Sequence, residues 1–139
     1  MSQVAPRVGI VLVSHSVRLA EGTADLAGQV SGGTVPVLAA GGTDDGGLGT
    51  SADKVARAVA SAESGAGVLV LPDLGSAVLT VRALLADMGG LADMPGARVV
   101  LADAPFVEGA VAATVTAAAG ADLKAVAAAA EEAWHARKL

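Results

Sequence analysis

The stretch Val8-Gly9-Ile10-Val11-Leu12-Val13-Ser14-His15-Ser16 decides how the rest of the chain is read. Its first six residues are apolar or small and rich in β-branched side chains, with no polar group for either face. They predict a strand buried on both sides, as in a parallel sheet covered by helices. Ser16 is a good N-cap residue, and Leu19, Ala20, Ala24, Leu26 and Ala27 follow as the apolar positions of a helix. His15 therefore stands where a buried strand hands over to a helix. In an open α/β sheet ligands bind at that edge, the carboxyl end of the strands. A helix N-terminus there favours an anion. Two readings of His15 follow: a nucleophile facing an anion site, or a strand-end histidine that hydrogen-bonds a loop.

The same alternation continues on the C-terminal side. Val35-Pro36-Val37-Leu38-Ala39 predicts a second strand, and Pro36, which lacks an N–H, places it at a sheet edge. A loop follows with glycines at Gly41, Gly42, Gly46, Gly47 and Gly49. Thr50 or Ser51 then caps a helix whose apolar face is Val55, Ala58, Val59 and Ala62. Gly67 to Pro72 predicts a third strand, followed by Asp73-Leu74-Gly75-Ser76. A helix with Leu79, Val81, Leu84, Leu85 and Met88 comes next and closes at Gly89-Gly90. Leu91 to Ala97 is expected to be a loop, and Arg98 to Ala102 a fourth strand. Two alanine-rich helices are expected from Val107 to Ala118 and from Asp122 to Lys138, with Gly120 between them. Leu123, Val126, Ala130 and Trp134 form one stripe on the last helix, which should dock it. Strands alternating with helices predict a doubly wound α/β fold. The expected sheet is mainly parallel and four-stranded, in the order 2-1-3-4, with helices on both faces. With no linker or repeat in view, residues 1–139 are expected to form one domain.

Composition narrows the function classes. The chain has 139 residues and is 53% hydrophobic, with one Phe, one Trp and no Tyr, so its core must be built from Val, Leu and Ala. A net charge of −5 and no basic cluster beyond Arg137-Lys138 argue against nucleic-acid binding, which needs phosphate neutralisation. No apolar run reaches membrane-span length, and the residues before Arg7 are too few for a signal peptide. Without cysteine there is no thiol chemistry. A cytoplasmic protein that engages neither nucleic acid nor membrane is expected.

Three unusual loops each follow a strand: Ser14-His15-Ser16, the glycine loop, and Asp73-Leu74-Gly75-Ser76. In the order 2-1-3-4 all three lie at one edge, and the topological switch point falls between His15 and Asp73. A carboxylate accepting from one ring nitrogen would set the tautomer and leave the other nitrogen as nucleophile. Alternatively, Asp73 is an Asx turn or an N-cap. Hydroxyls at Ser14, Ser16, Thr43 and Ser76 are placed to hold a phosphoryl group. The glycine loop is neither a Walker A loop nor a dinucleotide fingerprint, and no nucleophile elbow is present. Asp44 and Asp45 read as solvated turn residues, so no metal site is expected. His135 reads as a surface residue.

Four blocks in order carry a resemblance over most of the chain: V-S-H-S, A-A-G-G-T-D-D-G followed by G-T-S, V-L-V-L-P-D-L-G-S-A, and D-A-P-F-V-E-G-A. Together they resemble the phosphotransfer subunits of phosphoenolpyruvate-dependent dihydroxyacetone kinases, the DhaM family. The corresponding domain of that family is similar to mannose-type enzyme IIA of the phosphotransferase system. The resemblance implies an α/β fold, often a homodimer, and a histidine that accepts a phosphoryl group from the phosphocarrier HPr. The group would pass to ADP on a DhaL-like subunit, while a DhaK-like subunit binds dihydroxyacetone. ADP or ATP is then expected on the partner and no cofactor on this chain. Matched block by block, the phosphorylated histidine falls on His15, the orienting aspartate on Asp73 and a phosphoryl-holding serine on Ser76. Thr43 lines the mouth of the site, where Gly41, Gly42, Asp44 and Asp45 form a loop for partner docking. Val107-Glu108-Gly109 matches a block without an assigned role. Many family members continue into further phosphocarrier domains, so a chain stopping at Leu139 implies a separate donor protein. Pro72 is not a residue associated with the motif and biases Leu71 toward extended geometry. Two other readings remain at this point: a mannose-type sugar-transport enzyme IIA, and a non-catalytic module that senses an anion in the same pocket.

Overall fold

A computed structural model of the chain describes residues 5–87 and 98–139. Its strands are β1 (Gly9–Ser14), β2 (Val37–Gly41), β3 (Val68–Pro72) and β4 (Val99–Leu101). Its helices are α1 (Val17–Ser31), α2 (Ala52–Ala62), α3 (Gly75–Asp87), α4 (Phe106–Ala118) and α5 (Leu123–Glu132), with a 3-10 turn over Ala133–His135. The described strands form one sheet in the order β2-β1-β3-β4. All pairings are parallel, with Leu12 beside Ala39 on one side and Leu71 on the other, and Val70 beside Leu101.

The two inner strands are the two continuous apolar runs, and every residue of both is buried. Alternation along them separates two cores. Ile10, Leu12, Leu69 and Leu71 face Ala27 of α1, Ala110, Ala113 and Ala117 of α4, and Leu123, Val126 and Ala130 of α5. Val11, Val13, Val68 and Val70 face Val55, Ala58, Val59 and Ala62 of α2 and Ala77 and Val81 of α3. Alanine on the helices lets them lie close to a sheet that carries the larger side chains. β2 is the edge strand that Pro36 implied. It starts just after that proline, whose carbonyl accepts the Ile10 N–H at 2.8 Å.

Several boundaries and faces differ from the sequence reading. β2 lies two residues later than expected and reaches Gly41, and β4 is shorter at both ends. The contact face of α1 is Ala20, Thr23 and Ala27, while Leu19 and Leu26 are exposed, because close packing on the sheet selects the small side chains. Leu79 of α3 is likewise exposed. α3 begins at Gly75, so Ser76 belongs to its first turn rather than to the preceding loop. The last helix stops at Glu132 instead of Lys138. Beyond it Trp134 turns its Nε1–H to the Asp103 carbonyl at 2.9 Å, exposed rather than buried in the stripe. Met88, the Gly89-Gly90 stop and the expected loop of 91–97 lie outside the described residues. No helix among the described residues is long and apolar enough to cross a membrane.

Candidate active site

β1 and β3 end side by side, with Val13 paired to Pro72, so the residues that follow them meet at the switch point. α1 leaves β1 toward one face of the sheet and α3 leaves β3 toward the other. His15 and Asp73 lie in the gap between them. The Asp73 N–H donates to the Val13 carbonyl at 2.9 Å, which locks the two strand ends together.

Each oxygen of the Asp73 carboxylate accepts two donors. Oδ1 accepts from His15 Nδ1 at 2.9 Å and from the Leu74 N–H at 2.7 Å. Oδ2 accepts from the His15 N–H at 3.0 Å and from the Ser14 hydroxyl at 2.8 Å. The side chain of Asp73 is 8% exposed and that of His15 23%. Burial opposes the charge on Asp73, but the bonds from the His15 N–H, the Ser14 hydroxyl, the imidazole and the Leu74 N–H outweigh it. They hold the carboxyl below the usual carboxylate range. An ionised carboxylate only accepts, so Nδ1 must carry the ring proton. In the neutral ring Nε2 is then the nitrogen with the lone pair, and the Ser76 hydroxyl beside it is the donor to it.

The other candidate residues fall into two groups. Ser14 and Ser16 are at the site, but in this structure their oxygens have local partners. The Ser14 hydroxyl is fully buried, donates to Asp73 and accepts the Ser16 N–H at 3.0 Å. Ser16 Oγ accepts the Leu19 N–H at 3.2 Å as the N-cap of α1. Thr43, Asp44 and Asp45 belong to a self-contained turn beside the site. The Thr43 hydroxyl donates to Asp45 and accepts the Gly47 N–H at 3.0 Å, while the Ser51 hydroxyl donates to Asp44. The bond from Thr43, with help from the Gly47 N–H and the nearby Lys54, keeps the exposed Asp45 carboxyl below its ordinary range.

Gly41 and Gly42 correct the expectation of a glycine docking surface. Both are buried. A Cβ on Gly41 would lie 2.6 Å from the Ser16 carbonyl oxygen and 2.8 Å from the Val17 Cα. One on Gly42, whose φ is +74°, would lie 2.8 Å from the Gly47 carbonyl oxygen. These glycines let the loop close against the start of α1. The exposed part of the loop is Asp44 to Leu48. His135 is exposed on the 3-10 turn.

Three contacts had no signal in the sequence. The Gly42 N–H donates to the Ser14 carbonyl and the Gly49 N–H to the His15 carbonyl, each at 3.0 Å, so the glycine loop holds the strand end. Lys54 Nζ donates to the Gly41 carbonyl at 3.0 Å from the first turn of α2. Each joins residues brought together only by the fold.

A histidine with one nitrogen held by a buried carboxylate and the other presented at the starts of two helices is equipped for nucleophilic attack on a phosphoryl group. The family model of the PTS system fructose IIA component (EIIA-man) matches residues 9–127. The chain belongs to this family. Its family relatives include proteins named as the phosphoryl donor subunit DhaM of PEP-dependent dihydroxyacetone kinase. The Escherichia coli K12 protein is 44% identical over 119 residues, covering 84% of this chain and 25% of its own length. One from Listeria innocua is 37% identical over 109 residues, covering 78% of this chain and 84% of the relative. The Lactococcus lactis phosphotransferase subunit DhaM is 32% identical, covering 85% and 89%. This IIA chain thus spans about a quarter of the Escherichia coli relative and most of the Listeria and Lactococcus ones. A solved structure described as a protein of unknown function, EF1359, superposes with a TM-score of 0.79. It is 34% identical and covers 92% of this chain and 95% of its own.

Proposed function

We propose that the protein is the phosphoryl donor subunit of a dihydroxyacetone kinase, working in the cytoplasm as a phosphohistidine relay. The observation that carries this reading is the pairing of His15 Nδ1 with Asp73, which leaves Nε2 free toward Ser76. The DhaM names of the relatives support the dihydroxyacetone branch over sugar transport. A module that only senses an anion has no need of a carboxylate dedicated to one ring tautomer.

In the first step the Nε2 lone pair attacks phosphorus on the phosphohistidine of HPr. The N–P bond of the donor breaks as the new one forms, and the Nδ1 proton stays on its bond to Asp73. Phosphoryl transfer passes through a loose transition state, so catalysis rests on positioning and charge stabilisation. The Ser76 hydroxyl turns from Nε2 to a phosphoryl oxygen. Unpaired N–H groups in the first turns of α1 and α3 favour the added negative charge. Thr43, and the Ser16 hydroxyl proton, are further groups for it. In the second step the N–P bond breaks and an ADP β-phosphate oxygen takes the group, giving ATP. The nucleotide sits on a DhaL-like subunit, and a DhaK-like subunit supplies dihydroxyacetone. Asp44 and Asp45 belong to the rim the partners contact, and a homodimer is part of the same proposal.

The test is incubation with phosphoenolpyruvate, enzyme I and HPr. An acid-labile, base-stable phosphate on this chain supports the relay, and its absence overturns it. Chase with ADP and a DhaL-like subunit should then remove the label.

A further inference from the structure

Ser76 is exposed and stands in the first turn of α3. Leu74 and Gly75 at the start of that helix have no hydrogen-bonding side chain. Ala77 is the one buried residue of the first turn. A serine that must meet Nε2 within a few tenths of an ångström needs a firmer seat, because positioning is most of what this chemistry can use.

We infer that Thr50 and Thr80 are positioning residues, a hydroxyl strap that fixes Ser76 against His15. The inference rests on the relay reading above. Thr80 Oγ1 lies 3.3 Å from the Ser76 carbonyl oxygen and 2.8 Å from Thr50 Oγ1. Each hydroxyl has one proton to give, and this sets the direction of the chain. Thr80 donates back to the Ser76 carbonyl, so Thr50 donates to Thr80. Both threonines are half-buried. A threonine bonded to the carbonyl four residues back is common within helices and says little by itself. The second link is different, because it crosses from α3 to the glycine loop between residues 30 apart.

That loop is fastened to His15 on the other side. Gly49, next to Thr50, donates its N–H to the His15 carbonyl at 3.0 Å. Ser51, the residue after Thr50, caps α2 by accepting the Lys54 N–H at 3.2 Å. The loop thus grips the nucleophile's backbone through Gly49 and the turn carrying Ser76 through Thr50 and Thr80. His15 and Ser76 are held in one frame from opposite sides. Deleting either threonine hydroxyl should leave Ser76 present but free to drift from Nε2.

The test uses Thr80→Val, Thr80→Ser, Thr50→Val and the double valine variant, each also in a Ser76→Ala background. Two readouts are followed: single-turnover transfer from phosphorylated HPr, and the ¹⁵N shift of His15 Nε2, which reports the Ser76 bond without turnover. Thr80→Val should slow transfer about three- to tenfold, the worth of one neutral hydrogen bond. It should move the Nε2 shift part of the way that Ser76→Ala moves it. Thr80→Ser should restore both, and the double variant should be no slower than Thr80→Val alone, which already breaks both links of the strap. With Ser76→Ala already present, Thr80→Val should add nothing. An Nε2 shift unchanged by Thr80→Val, or equal slowing with and without Ser76, would overturn the strap. If the parent protein takes up no phosphate the relay reading fails instead, and the nitrogen shift alone decides the strap.

Discussion

Asp73 grips His15 twice, through the backbone N–H at 3.0 Å and through ring Nδ1 at 2.9 Å, with one carboxylate oxygen for each. The same two oxygens also take the Ser14 hydroxyl and the Leu74 N–H, so both sides of the carboxylate face donors only. A carboxylate satisfies this arrangement and an amide cannot.

Asp73→Asn is therefore expected to slow phosphorylation by HPr on the order of 10³–10⁴-fold, the scale of tautomer loss in a Ser-His-Asp triad. Whichever way the amide is turned, its NH₂ meets two donors. Turned toward the imidazole it donates to Nδ1 and moves the ring proton to Nε2, closing the nucleophile. Single-turnover transfer measures the rate, and ¹⁵N shifts of the ring report the tautomer. Transfer at the parent's rate would mean that Asp73 is only a loop cap.

Ser76→Ala should cost less. It removes one exposed hydroxyl, worth about 1.5–3 kcal/mol when bonded to a charged group. Transfer should slow on the order of tenfold to a hundredfold, with thermal stability unchanged.

The pH dependence of stability has a definite sign. The Asp73 carboxyl is held below its unfolded value, so its contribution is fully present above the usual carboxylate range. It is lost as pH falls through the folded value. Urea midpoints from pH 6 to pH 3 should therefore fall more steeply for the parent than for Asp73→Asn, and the two curves should converge at the acid end. Parallel curves would contradict the stabilised carboxylate.

Gly41→Ala tests the buried glycine seam. The new methyl meets backbone atoms of Ser16 and Val17, which cannot move aside as a flexible side chain can. A loss of about 1–3 kcal/mol is expected from such overpacking. Phosphorylation should slow as well, because the start of α1 must shift. Ala in place of exposed Gly22, where no atom lies within 4 Å of a new Cβ, is the control and should cost nothing.

Much of this was legible in the chain, for reasons that particular residues make clear. β1 and β3 are apolar on both faces because both faces are covered, so their runs declare a parallel sheet. The order 2-1-3-4 then brings His15 to Asp73 without further information. Side-chain partners were less legible. Ser14, Ser16 and Thr43 read as phosphoryl ligands, yet the Ser14 hydroxyl is taken by Asp73 across the switch point, and those of Ser16 and Thr43 by a helix cap and a local turn. Leu19 and Leu26 fitted a helical stripe, but closeness to the sheet favoured Ala20 and Ala27. Helix propensity carries on past Glu132, and there the bond from Trp134 to Asp103 accompanies a tighter turn. Gly41 and Gly42 read as part of a docking loop because composition does not reveal what a missing Cβ leaves room for.

The proposed chemistry centres on one atom, Nε2 of His15. The most direct measurement is to phosphorylate ¹⁵N-histidine-labelled protein with phosphoenolpyruvate, enzyme I and HPr, and to read the phosphorus–nitrogen coupling and ring shifts. The expected result is a phosphate on His15 Nε2 with the proton retained on Nδ1, no label in His15→Ala, and full labelling in His135→Ala. Phosphate on Nδ1, or incorporation that survives His15→Ala, would contradict it.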